Sequence, residues 1–307
     1  MRRSIVYLFI IVGIVFIFMR FNVNSVRLKP KEKKEEAPYS QVMLNRAMQQ
    51  KNEKPEEALK IFENIIVQFP QSKEAPSALI EMANIYKDKG QVLKQKEALV
   101  KLISTYSESA LVAAAGKRLG QLNIDILFST EKTSDSFLYE VQPGDNLYKI
   151  AKNNNTTVEL LMKSNNLSDT LIRPGMKLKV NQAVFSIEID KSEKTLTFLG
   201  DSEALKTYPI AVGADDSPTP VGQFKIVNRI VEPVWYKAGA IVPAGSPENI
   251  LGSRWLGLSD PGYGIHGTVD SNPIGQQSTQ GCIRMKNEDV EELFIIVPVG
   301  TQISIKD

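Results

Sequence analysis

Histidine and cysteine each occur once in these 307 residues, and tryptophan only twice. A single cysteine excludes an intramolecular disulfide, so the fold must rest on packing, and the thiol stays free even in an oxidising compartment. One histidine with one cysteine leaves two ligands of a tetrahedral zinc to be found among carboxylates, so a zinc site is not expected. Charge of one sign is also missing in excess: 37 basic against 35 acidic residues leave a net +2. With no polybasic block interleaved with aromatics, nucleic acid is excluded as an expected partner. Only one run has membrane-like character, the fifteen uncharged residues Ile5 to Met19.

The two scarce residues lie sixteen apart, His266 and Cys282, beside Gly267 and Gly281. Cysteine attacks as the thiolate, and imidazole is the side chain best suited to take its proton near neutral pH. Glycines on either side allow close backbone approach, so a thiol–imidazole pair is the leading reading. A small buried cysteine beside an unrelated core histidine is the alternative.

Residues 1–23 open with Arg2 and Arg3 before the apolar run, and Arg20 follows it. The run is short for a spanning helix, which needs about 20 residues, and it also fits the apolar region of a signal peptide. No small-x-small cleavage site follows Met19, so an uncleaved membrane anchor is expected, while Arg20, Arg27, Lys29 and Lys31 after the run leave its orientation open. Residues 24–39 are rich in Lys, Glu and Pro and read as a solvated linker.

From 40 to 128 the apolar spacing is helical. Phe62…Phe69 and Leu99…Tyr106 share an internal spacing of seven and are offset by 37, with small residues after each (Ala75 and Ala78, then Val112 and Ala115). A period of this length built of helix pairs resembles tetratricopeptide repeats, which implies a scaffold or a surface for a protein partner. A plain helical spacer is the other reading.

After a polar linker at 129–136, residues 137–181 read as strand, Pro-Gly-Asp turn with Asp145 capping a helix, second helix, Pro-Gly turn and closing strand. Val141-Gln-Pro143-Gly144-Asp145-Asn146-Leu147, Asn165-Asn166-Leu167 and Ile172-Arg-Pro174-Gly175-Met-Lys-Leu178 occur in the order of a LysM domain, which this segment closely resembles. The resemblance implies binding of N-acetylglucosamine-containing glycan strands, with Pro143, Gly144, Asp145, Asn146, Asn165, Asn166 and Leu167 lining the sugar groove.

From Ala183 the period changes to two. Phe185, Ile187 and Ile189 alternate with polar residues, and strands are predicted at Tyr208–Val212, Phe224–Ile230 and Gln302–Ile305, as in a mainly-β sandwich or barrel. Within 183–306, Thr219-Pro220-Val-Gly222, Tyr263-Gly264-Ile-His266-Gly267-Thr268, Thr279-Gln280-Gly281-Cys282-Ile-Arg284-Met285 and Asn287-Glu-Asp289 strongly resemble the YkuD-type L,D-transpeptidase catalytic domain. The resemblance implies peptidoglycan stem peptides as substrates and no metal, ATP or other cofactor, and together with the LysM likeness it places the body of the protein extracytoplasmic, in periplasm or cell wall. Cys282 would be the nucleophile and His266 the base, its second nitrogen held by a backbone carbonyl near Gly267.

Gly281 would let the backbone approach the tetrahedral intermediate. Arg284, Thr279 and Tyr263 would contact substrate, although Arg284 equally suits a structural pairing with Asp289 or Glu288. Two positions depart from the family pattern: Thr279 stands where serine is common, and Gln280 where many members have a second histidine. Trp235, Tyr236 and Trp255 suit the floor of a substrate groove but are assigned to packing, since large aromatics near a sandwich usually bury area. The expected protein is multidomain: an N-terminal membrane segment, all-α helical repeats, a small α+β LysM module and a mainly-β catalytic domain. Its expected activity is cross-linking of stem peptides, with an L,D-carboxypeptidase or a non-catalytic wall-binding scaffold as the alternatives.

Overall fold

The computed structural model describes residues 36–237, 239–268 and 274–307. The segment read as a membrane anchor or signal, 1–23, lies outside the described residues. Among those residues no helix is long and apolar enough to cross a membrane.

Five helices come first: α1 (Glu36–Gln50), α2 (Pro55–Gln68), α3 (Glu74–Asp88), α4 (Val92–Thr105) and α5 (Val112–Leu127). The first begins four residues inside the segment read as linker. Pro55 opens α2 at a position where its missing N–H costs nothing, and Glu56 and Glu57 favour the positive end of the helix dipole. Ala58, Phe62 and Ile65 form its fully buried stripe. The 37-residue offset is structural as well as compositional. Phe69 and Tyr106 are the C-caps of α2 and α4, with φ/ψ of −128°/51° and −124°/49°, and their N–H groups donate to Ile65 and Leu102.

The chain separates into two compact units at residues 85 and 86, so the boundary falls in α3 rather than at a polar linker. In the second unit, α5 is part of the catalytic domain's core. Ile124 and Leu127 share one buried cluster with the large sheet, and Asn123 Nδ2 donates to the Leu205 carbonyl at 2.8 Å. Lys179, 3 % exposed on a LysM strand, donates to the carbonyls of Ile126 and Ser129 at 2.9 and 2.7 Å. A cation on the last carbonyls of α5 complements the helix dipole, while burial pushes its pKa down to about 8. The 129–136 segment therefore does not free the LysM module from α5.

The LysM module is β1 (Ser136–Glu140), α6 (Leu147–Asn153), α7 (Val158–Ser164) and β2 (Lys177–Asn181), the strands pairing antiparallel around Val141, Leu147, Ile150, Leu161, Leu178 and Val180. One detail corrects the sequence reading. Asn146, not Asp145, caps α6, accepting from the Lys149 N–H at 2.8 Å. Asp145 instead holds the turn, accepting from Tyr139 OH at 2.7 Å and the Gln142 N–H at 2.9 Å.

The catalytic domain is built on one eight-stranded mixed sheet. Its members are β3 (Phe185–Asp190), β4 (Thr195–Gly200), β5 (Glu203–Pro209), β7 (Gly222–Val231), β10 (Arg254–Leu258), β11 (Gly264–His266), β13 (Ile283–Arg284) and β14 (Gln302–Lys306), in the order β13-β11-β10-β7-β14-β3-β4-β5. Two short pairs supplement it: β6 (Val212–Gly213) with β12 (Gln277–Thr279), and β8 (Trp235–Lys237) with β9 (Ala240–Val242). The alternation at Phe185, Ile187 and Ile189 does send those side chains into the core, beside Leu196, Phe198 and Tyr208. A helix the sequence reading did not include, α8 (Asn287–Ile296), closes the same core with Val290, Leu293 and Phe294.

Candidate active site

Two very short strands carry the scarce residues. β11 ends at His266, and β13 begins one residue after Cys282. The strands run parallel with Ile265 opposite Ile283 and His266 opposite Arg284, so Cys282 comes alongside Gly264. The pairing is clamped from both sides. Met285 N–H donates to the His266 carbonyl at 2.9 Å, while Ala211 and Arg284 exchange backbone bonds at 2.8 and 2.9 Å.

Upstream of β13 the chain turns at Gly281, whose φ of +94° favours glycine. A Cβ there would also lie 2.6 Å from the Tyr263 ring, so Tyr263, half-buried against the core, covers this turn. Thr279 braces the same turn, its Oγ1 donating to the Cys282 carbonyl at 2.5 Å. The threonine in place of serine thus keeps the hydroxyl contact.

Cys282 is partly exposed, and its Sγ lies 3.6 Å from the Gly262 carbonyl. Burial raises the thiol pKa, opposed by a backbone bond at Gly264. His266 is 3 % exposed, and burial lowers its pKa to about 4 despite the carbonyls of Gly267 and Leu251, which favour the charged ring. The nearby Arg284 guanidinium pushes the same way as burial. Both directions favour the neutral thiol and the neutral imidazole at rest. Nδ1 lies 2.6 Å from the Gly267 carbonyl. A carbonyl can only accept, so Nδ1 carries the proton and Nε2 presents the lone pair a general base needs.

Arg284 is buried, 7 % exposed, on β13. Sequence reasoning missed the role of Asn287 at the start of α8. Its Oδ1 accepts from the N–H groups of Ser253 and Thr268 at 3.0 and 3.1 Å, fastening the segment after His266 to the loop before β10. A Cβ at Gly252 or Gly267 would come 2.3 or 2.1 Å from that oxygen, so both glycines make room for the staple. The signal was present as Gly252, Gly267 and Asn287, but only the fold joins them.

In the LysM module the seven groove candidates separate. Asn165 is occupied, its Oδ1 accepting from Lys179 N–H and its Nδ2 donating to the carbonyls of Leu161 and Lys179. Leu167 packs on the module's core, and Asp145 is held in its turn. Pro143, Gly144, Asn146 and Asn166 are exposed. Among the described residues no group of three or more His, Cys, Asp or Glu side chains is placed to hold a metal ion.

A free thiol and a buried imidazole of fixed tautomer, set on neighbouring parallel strands, are the residue types that acyl transfer through a cysteine needs. Residues 185–305 match YkuD, the L,D-transpeptidase catalytic domain, and residues 139–181 match the LysM domain. The chain is 38 % identical over 176 residues to the putative L,D-transpeptidase YkuD of Bacillus licheniformis, covering 55 % of this chain and 98 % of that one. It is 36 % identical over 174 residues to the Bacillus subtilis protein of the same description, covering 54 % and 97 %. A solved L,D-transpeptidase from Mycobacterium tuberculosis aligns with 44 % of this chain and 63 % of its own at 16 % identity and a TM-score of 0.36, too loose a likeness to add weight. The chain belongs to the YkuD family of L,D-transpeptidases.

Proposed function

We infer that the protein cross-links peptidoglycan stem peptides by acyl transfer through Cys282. The observation that carries this is the fixed tautomer of His266, with Nδ1 held 2.6 Å from the Gly267 carbonyl, on the strand that pairs with the one following Cys282. In the first half, His266 takes the thiol proton and sulfur attacks the carbonyl carbon of the third stem residue. The bond to the terminal D-alanine nitrogen breaks, that nitrogen receives the proton from His266, and a thioester remains. In the second half, the side-chain amine of an acceptor diaminopimelate loses a proton to His266 and attacks the thioester. The carbon–sulfur bond breaks, and the thiol is restored. Water in place of the amine would make the same acyl-enzyme a carboxypeptidase.

The backbone N–H groups of Gly281 and Cys282 are the oxyanion donors in this reading, and the buried Arg284 orients the substrate carboxylate end. Incubation with a tetrapeptide-stem muropeptide tests it. The expected product by mass spectrometry is a 3–3 linked dimer lighter than two substrates by one D-alanine. Release of D-alanine with tripeptide alone would assign the carboxypeptidase instead.

The LysM module holds the enzyme on glycan strands in an extracytoplasmic wall, with the exposed Pro143, Gly144, Asn146 and Asn166 at the sugar. The N-terminal segment serves as an anchor, and the helical pairs form a platform for a protein partner. Tethering raises the local concentration of stem peptides without altering the chemistry. Substituting Asn146 and Asn166 together by alanine is expected to reduce sedimentation with purified peptidoglycan severalfold. Unchanged binding by a folded variant would move the sugar site elsewhere.

A further inference from the structure

Trp255 and His266 face each other across β10 and β11 as register partners, with ring centroids 6.0 Å apart and planes 19° from parallel. Two residues along each strand on the same face stand Gly257 and Gly264, also register partners. Neither glycine has positive φ, so neither is explained by a turn. Instead, a Cβ at Gly264 would lie 2.5 Å from Cζ2 of the indole; one at Gly257 would lie 2.4 Å from Asn228 Oδ1 and 2.9 Å from the indole Nε1. The indole therefore lies over Gly264, where a side chain would collide with its ring, while Gly257 makes room for both Asn228 and the indole edge. It is partly exposed, whereas the imidazole beside it is 3 % exposed. Gly264, under the far edge of the indole, is also the residue whose backbone meets the Cys282 thiol.

We propose that Trp255 is a positioning residue for the acyl-transfer reaction: its indole, bedded on Gly257 and Gly264, holds the His266 ring plane and keeps water from it. The carbonyls of Gly267 and Leu251 hold the imidazole by its edges, and such bonds leave its face to be packed by a neighbour. A parallel aromatic face at stacking distance supplies that packing, and aromatic pairs in this arrangement contribute about 0.5–1.5 kcal/mol beyond area burial. A base whose lone pair wanders loses the aligned geometry on which transfer depends.

Charged groups approach this pair from three elements. Arg284 on β13 opposes protonation of the ring. Arg254 on β10 is directed to the Phe294 ring and lies 4.0 Å from Glu291 of α8. Glu288 and Asp289 occupy the first turn of α8 and do not act on His266. With charge supplied chiefly by Arg284, burial is the larger influence on the imidazole, and the indole supplies part of that burial.

The inference rests on His266 being the base, but half of its test needs no substrate. His266 is the sole histidine, so one imidazole resonance reports its titration by NMR without assignment. In wild type the midpoint should fall near 4. Trp255→Ala is expected to raise it toward the ordinary histidine value and to lower kcat about tenfold or more while KM changes little. Trp255→Phe, which keeps an aromatic face, should retain the wild-type midpoint and kcat within about threefold. Trp255→Leu keeps bulk without that face and should lose kcat as the alanine variant does, which preserves the test if alanine does not fold.

Wild-type kcat in the leucine and alanine variants, or an unmoved histidine midpoint in a folded alanine variant, would overturn the role. If the midpoint moves as expected but no variant or wild type forms an acyl-enzyme, the positioning stands and the transpeptidase reading falls.

Discussion

Cys282→Ala is expected to abolish both covalent acylation and cross-link formation. The chain has no second cysteine to substitute, and no other residue shares the position beside Gly264 and the base strand. Removing the sulfur deletes the atom that forms the thioester, so the loss is not graded. Replacing a partly exposed thiol by a methyl-sized side chain creates little cavity, and the turn is held by the Thr279 bond to the Cys282 carbonyl, a backbone contact that alanine retains. The variant should therefore melt within about 1 kcal/mol of wild type. Intact-mass analysis after exposure to a tetrapeptide-stem muropeptide or a carbapenem should show the adduct on wild type alone. A Cys282→Ala protein that still forms 3–3 cross-links would end the catalytic reading and leave a wall-binding scaffold.

Much of this was legible from residue order. The 37-residue offset that pairs Phe69 with Tyr106 identified two helix ends that the structure shows in the same cap conformation. The Pro143-Gly144 turn and the alternation at 185–189 placed a strand–helix module and a sheet correctly. The errors share a cause. Asp145 and Asn146 are both good caps, and only the approach of Tyr139 OH decides that the aspartate serves the turn and the asparagine the helix.

Helix α8 has its apolar residues at helical spacing (Val290, Leu293, Phe294), but its ten residues sit inside a region dominated by period-two signals. The membership of α5 in the catalytic core is carried by Ile124 and Leu127 against strands far along the chain, a pairing that local pattern does not encode. The packing role of Trp255 rests on the area that large aromatics bury near a sheet, and nothing local shows that Trp-Leu-Gly will lie antiparallel to Gly-Ile-His. Once it does, the two glycines explain where the indole goes.

His266→Ala should keep the fold and lose about 10²–10⁴ in rate, the usual worth of a positioned general base. The pH behaviour distinguishes this base from an ordinary one. It acts unprotonated, and burial with Arg284 lowers its pKa from 6.5 to about 4. In wild type kcat/KM should therefore stay level from neutral pH down to roughly 5 and fall only through about 4, where an ordinary imidazole would have failed near 6.5. Stability follows the same group with a definite sign. Between about 4 and 6.5 the unfolded chain binds this proton and the folded chain does not, so acidification across that window destabilises the native state. His266→Ala should flatten that slope in pH-dependent melting.

Burial raises the thiol pKa, so a neutral thiol at rest predicts slow alkylation of Cys282 by iodoacetamide at pH 7 and a rise only on the alkaline side of an ordinary cysteine. Rapid alkylation at pH 5 to 6 would instead require a thiolate–imidazolium pair. In that case His266 would already hold the proton that the proposed first step transfers, and its titration would belong to the pair rather than to the ring.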